Sequence, residues 1–238
     1  AYADMAEQKS MANVGKFSIM VAHEIKNPLS IIKGSMNILK KPEIDDVMRE
    51  NMFTYQEEEI NRINLLVENF LLYSKPFEPV MCETDMNLFV QKLIAKLDVV
   101  NFEKHIKVIQ KIDKEPARVL CDTPLMERAL NNILKNCFEA CGPEDTVEMH
   151  SRTLDGYWIC LIKDSGPGIK KEAIDNIFKP FFTTKAKGTG LGLAIVKDII
   201  LLHEGKIRVG NNEKKGAFFK IYLPCVKRKD QEKMAHVQ

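Results

Sequence analysis

A change of hydrophobic period after Ser74 divides this sequence into two parts that cannot share one architecture. In the first part Ala22, Ile25, Leu29, Ile32, Met36 and Leu39 follow one another at alternating spacings of three and four, the a and d positions of a coiled-coil seam. Pro42 and the acidic group Glu43, Asp45 and Asp46 interrupt the pattern, which predicts a turn and the acidic first turn of a second helix. Ile60, Ile63, Val67 and Phe70 then resume it until the prolines of "SKPFEP" stop it near Ser74. Two helices leave their shared stripe half covered, so a homodimeric four-helix bundle is expected.

After Pro79 the pattern is mixed. "MNLFVQKLIAKL" and "TPLMERALNNILKNCFEAC" read as helices, while "KVIQKI", "DTVEMHS", "YWICLIKD", "KIRVGN" and "AFFKIYLP" read as strands. The 238 residues exceed the roughly 100–200 of an average domain, which fits two units of α+β class. A net charge of +2 gives no bias toward nucleic acid or lipid. No apolar run approaches a membrane span, and the N-terminal stretch has no signal-peptide core. A cytoplasmic chain is therefore expected, with any membrane attachment confined to a region N-terminal to this sequence. The six cysteines have no metal-ligand spacing and are expected to be reduced and buried.

The stretch "VAHEIKNPLSII" places ionisable residues on the first helix. With Ala22 at position a, His23, Glu24 and Asn27 fall at b, c and f, away from the seam and one turn or less apart. An exposed imidazole beside a carboxylate is a nucleophile whose proton has an acceptor; the plainer alternative is a solvated helix face. Pro28 lacks the donor for the carbonyl of Glu24 and should loosen the helix there.

In the second part Asn132 and Asn136 lie one turn apart on a helix with an apolar opposite face. "DSGPGI" puts Asp164 at a strand end with Gly166 and Gly168 in a sharp turn. Gly188, Gly190 and Gly192 precede an apolar helical run, where backbone N–H groups can meet phosphates. "KPFFTTK", between the two glycine motifs, is too rich in aromatics and hydroxyls for a mere linker.

In this order "HEIKNPL", "NNILKNCFEA", "DSGPGI", "FKPFFTTK" and "GTGLGLAIVKDI" resemble the H, N, G1, F and G2 boxes of bacterial sensor histidine kinases. The short interval from Gly168 to Gly188 is similar to the compact lids of the nitrogen-regulation type. The resemblance implies a dimerisation and histidine-phosphotransfer hairpin over residues 1–77 and an ATP-binding α/β sandwich of the gyrase and heat-shock chaperone superfamily over 80–228, followed by a tail over 229–238. By position, His23 resembles the phosphoacceptor, Glu24 the acceptor of its proton and Asn136 the Mg²⁺-holding residue, with Asn132 in the same box. Asp164 resembles the carboxylate that binds the adenine amino group, above the turn of Gly166 and Gly168. Gly188, Thr189, Gly190, Leu191 and Gly192 resemble the phosphate-side hinge, and Lys185 and Lys187 are cations that could reach phosphates.

The implied activity is autophosphorylation of a histidine from Mg-ATP and transfer to an aspartate of a response-regulator receiver domain. Glu24 and Asn27 match the ExxN pattern that implies regulator phosphatase activity as well. Asn132 stands where ATP-hydrolysing relatives hold a glutamate base, and an amide cannot accept a proton from water. The rival functions are a nucleotide-binding scaffold without catalysis and a chaperone- or gyrase-like ATPase.

Overall fold

The computed structural model describes residues 2–74, 79–97, 106–185 and 188–226. Contacts divide the chain into two compact units, Ala1–Phe77 with Thr183–Thr189 and Glu78–Phe182 with Gly190–Gln238. The expected tail at 229–238, His105, His236 and Lys187 lie outside the described residues.

The first unit contains two antiparallel helices, α1 (Tyr2–Leu39) and α2 (Asp46–Ser74). The acidic start expected for α2 is present in Asp46, and Asp45 just before the helix accepts the N–H of Met48 on its Oδ1 at 2.6 Å. Pro28 sits inside α1 without ending it. The helices meet along two lines of period seven, Val21, Pro28 and Ser35 on α1 and Met52, Glu59 and Leu66 on α2, all buried. This corrects the sequence-derived seam by one residue. Ala22, Leu29 and Met36 face outward, while Ile25, Ile32 and Leu39 are half-buried. A rotation of about 100° per residue is enough to move the contact line from one column to the next. Ser35 is tolerated inside because its Oγ donates to the Ile32 carbonyl at 2.8 Å and accepts from Gln56 Nε2 at 3.0 Å.

The second unit is an α/β sandwich. Its five-stranded sheet has the order β2-β4-β5-β7-β6, built from β2 (Lys107–Lys111), β4 (Thr146–Leu154), β5 (Tyr157–Asp164), β6 (Lys206–Asn211) and β7 (Ala217–Pro224). Only the β2–β4 pair is parallel. A separate antiparallel pair, β1 (Cys82–Asp85) with β3 (Arg118–Cys121), was not predicted. Along β7, Ala217, Phe219, Ile221 and Leu223 are buried and alternate with half-exposed neighbours, the period of a sheet covered on one face. The covering stripes come from α3 (Met86–Leu97), α4 (Thr123–Ala140) and α6 (Gly192–Leu202). They include Val90 and Ile94 of α3, Leu130 and Ile133 of α4 and Ile195 and Ile199 of α6. A single turn of helix, α5 (Lys171–Ile174), lies between the glycine motifs.

All six cysteines are free, and burial raises the thiol pKa of Cys121 and Cys160. Cys82 departs from expectation: it is exposed, at the start of the short β1 strand.

Candidate functional site

The spine of the site is α4. Its N-cap, Asp122, is a junction: Oδ1 accepts the N–H of Leu125 at 2.9 Å and Oδ2 that of Val80 at 2.8 Å. The N–H of Asp122 donates to Nε2 of the buried His203 at 2.9 Å, and His203 Nδ1 lies 2.7 Å from the Ile199 carbonyl. His203 thus ties the end of α6 to the start of α4 and has a structural role. The buried face of α4 runs through Met126, Leu130, Ile133, Leu134 and Cys137, which leaves Asn132 and Asn136 half-exposed at its edge.

Asn132, Asn136 and Ala140 mark successive turns of that edge, spanning about 12 Å at 1.5 Å per residue. At one end an ideal Cβ on Gly192 would sit 3.4 Å from Asn132 Oδ1, so the N-terminus of α6 lies against Asn132. No side chain caps α6, and its first N–H groups need acceptors from elsewhere. In the middle, Asn136 Nδ2 donates to the Asn132 carbonyl at 2.9 Å. At the far end, a Cβ on Gly166 would meet the Ala140 carbonyl oxygen at 2.9 Å. Only glycine lets the "DSGPGI" loop close on the end of α4.

Asp164 is buried beneath this loop. Its Oδ1 accepts the N–H of Gly166 at 3.0 Å and of Ala217 at 3.1 Å. Burial nevertheless holds its pKa above the usual carboxylate range, against the lowering effect of those two N–H groups.

Sequence reasoning missed the residues that hold the loop. Asn211 clamps Ile169, accepting its N–H at 2.7 Å and donating to its carbonyl at 2.7 Å. Asn212 Nδ2 donates to the Asp164 carbonyl at 2.9 Å. Asp145 accepts from the Ser165 hydroxyl at 2.8 Å and from Lys215 at 3.1 Å. The Gly142 N–H, the Ser165 hydroxyl and Lys215 hold the Asp145 pKa low. The signal was present: "GNNEKKG" between two alternating strands marks a hairpin turn. Its partners 42 and 48 residues away were not legible.

In the lid segment, Gly190 has φ +66°, and a Cβ there would collide with the backbone of Phe181. Phe181 itself has φ 64°, a left-handed conformation costing about 1 kcal/mol in a non-glycine residue. The "KPFFTTK" stretch is therefore shaped to meet the second glycine motif. Lys185 is exposed, and its carbonyl accepts the N–H of Gly188 at 3.2 Å. A hollow of about 800 Å³ opens on the sheet face that carries Lys163, Arg208, Lys220 and Tyr222 and reaches Asp164, Ser165, Asn211 and Asn212 at its edge, behind the "DSGPGI" loop.

On the hairpin, His23 and Asn27 are exposed and Glu24 is half-exposed. The ring is not drawn into the bundle interior. Arg62 of α2 reaches across to Glu24, NH2 to Oε2 at 3.6 Å.

Residues 13–76 match the family model "His Kinase A (phospho-acceptor) domain", and residues 121–227 match "Histidine kinase-, DNA gyrase B-, and HSP90-like ATPase". The solved catalytic domain of the histidine kinase ThkA is 32% identical, covering 61% of this chain and 95% of its own, with a TM-score of 0.57. The chain belongs to the histidine kinase family. Among curated relatives, the signal transduction histidine-protein kinase AtoS of Escherichia coli (strain K12) is 32% identical over 92% of this chain and 36% of its own length. A ThkA structure in complex with the response regulator TrrA matches 95% of this chain and 67% of its own at 28% identity, with a TM-score of 0.81. This kinase chain spans 36% to 50% of the length of the curated relatives it matches. Its second unit is of the ATP-using class, and among the described residues no helix is long and apolar enough to cross a membrane.

Proposed function

We propose that this chain transfers the γ-phosphoryl group of ATP to His23 and passes it to an aspartate of a response-regulator receiver domain. The observation that carries this reading is an exposed imidazole beside a carboxylate within the segment matching the phospho-acceptor family. ATP would lie along α4. Asp164 would accept from the adenine amino group, the Gly166 turn would floor the base, and the uncapped start of α6 with Gly188, Thr189, Gly190 and Leu191 would face the phosphates. Gly168 shapes the base-side turn; Lys185 and Lys187 are the cations assigned to the phosphates.

Mg²⁺ would neutralise developing phosphate charge, and Asn136 Oδ1 would be its protein ligand. An amide oxygen is a hard donor of the kind Mg²⁺ accepts, and Mg²⁺ commonly takes one or two side chains plus phosphates and water. One ring nitrogen of His23 attacks the γ-phosphorus, the bond to the ADP oxygen breaks, and Glu24 receives the proton from the other nitrogen. Asn132 has no basic group for water, which disfavours an ATPase.

The working form is a homodimer. Leu29 (52% exposed) and Met36 on α1, with Phe53, Ile60 and Val67 on α2, form outward apolar columns of period seven. A receiver-domain partner is supported by ThkA, solved with its response regulator. Incubation with γ-labelled ATP tests the proposal. Acid-labile label on the protein, absent in His23→Gln, is expected; free phosphate alone, or no label, would overturn it.

A further inference from the structure

Glu59 has no part in the chemistry above, yet it is 5% exposed in the middle of the buried line Met52, Glu59 and Leu66. An apolar residue would ordinarily fill that place, and an ionised carboxylate there is costly unless paired. Its partner is Arg62, one turn on, with NH1 3.7 Å from Glu59 Oε2. The other arm of the same guanidinium, NH2, lies 3.6 Å from Glu24 Oε2 on the facing helix. Arg62 is thus bracketed by two carboxylates, and its side chain is 16% exposed. Both separations exceed a direct hydrogen bond. Among the described residues neither Glu59 Oε2 nor Arg62 Nε has a hydrogen-bond partner, and Arg62 meets the two carboxylates as ion pairs.

We propose that Arg62, braced by Glu59, is a positioning residue for phosphoryl transfer to His23: it selects the side-chain conformation from which Glu24 takes the imidazole proton. The inference rests on the kinase function proposed above. Consecutive helix residues diverge by about 100°, so Glu24 does not meet His23 by default. A half-exposed glutamate samples several rotamers, and one fixed cation removes most of that freedom. Arginine suits the task because its planar head presents separate nitrogens to separate carboxylates, which lysine cannot do. In the step served, an imidazole lone pair forms the N–P bond, the P–O electron pair leaves with ADP, and the second ring nitrogen gives its proton to Glu24. Arg62 itself exchanges nothing.

The test is a kinetic cycle in the full chain. Arg62→Gln with Glu59→Gln leaves no carboxylate buried unpaired. It should lower the autophosphorylation kcat by about 10- to 100-fold, with KM for ATP unchanged. In a Glu24→Gln background the same pair should cause no further loss, because Arg62 acts only through Glu24. Arg62→Lys, which keeps a cation against Glu59, serves as the second variant and should fall between the two rates. Wild-type kcat in either variant, a KM change that accounts for the loss, or a loss that multiplies with that of Glu24→Gln would overturn the proposal. Absence of phosphohistidine in the unmutated chain would instead overturn the kinase function, a separate result.

Discussion

Asp164 accepts two backbone N–H groups and still has a raised pKa, because burial outweighs them. A group whose folded pKa lies above its unfolded value of about 3.9 adds no penalty at low pH. Its penalty builds as pH rises from the unfolded value through the folded value and is constant above it. Asp164→Asn keeps an oxygen for Gly166 and Ala217 but cannot ionise. Without nucleotide, the variant should melt at or above the wild-type temperature at pH 7, and that advantage should shrink toward pH 4, while ATP binding by calorimetry is lost. A variant that melts well below wild type at pH 7 would show that the charge itself holds the fold. Asn27 bears on a different reaction. It is exposed on the helix that carries His23 and Glu24, where its amide can orient a water but cannot replace the nucleophile. Asn27→Ala should keep autophosphorylation within about twofold, while dephosphorylation of a phosphorylated receiver domain falls about a hundredfold, the low end of what one positioned group contributes. Equal loss of both activities would refute that division of labour.

Among the elements, those with strong periodicity were legible in the sequence and those set by distant partners were not. "YWICLIKD", "KIRVGN" and "AFFKIYLP" coincide with β5, β6 and β7 because alternation over six to eight residues leaves few alternatives. The four-residue strands "CETD" and "RVLC" carry too little pattern; their pairing depends on a chain reversal over more than thirty residues, Asp85 opposite Arg118. The hairpin seam was read one column off because Pro28 and Ser35 are poor hydrophobic signals, though both are buried. At the candidate site, the motif residues were visible and their supports were not. Asn212 is the clearest case, since its Nδ2 serves the carbonyls of Asp164, Lys215 and Ala217. Asn212→Ala leaves these acceptors without that donor, a loss of about 1–3 kcal/mol. A melting temperature lower by about 2–8 °C is expected for a unit of this size, with faster amide exchange confined to the "DSGPGI" loop. Unchanged exchange there would mean that the β6–β7 turn does not hold the loop.

At the scale of the whole molecule, the proposed homodimer would cover the outward apolar columns of the hairpin. Leu29, Met36, Phe53, Ile60 and Val67 are already about half covered, at 38–56% exposed, so burying the rest gains each about 1 kcal/mol, on the order of 10 kcal/mol over two subunits. Association opposes this with a cost of about 4–15 kcal/mol, so the balance is close and one charge in the middle of the columns can tip it. Ile60, 49% exposed, lies between Phe53 and Val67 on the same column, which makes it the position to test. Ile60→Lys should turn a dimer into a monomer by sedimentation at micromolar concentration, with reduced helical signal. ATP binding should persist, because none of the residues assigned to the nucleotide lies on the hairpin. If the unmutated chain already sediments as a monomer, the paired-hairpin arrangement is wrong and the outward columns serve another partner. If instead the lysine variant stays dimeric, the subunits join through a different face.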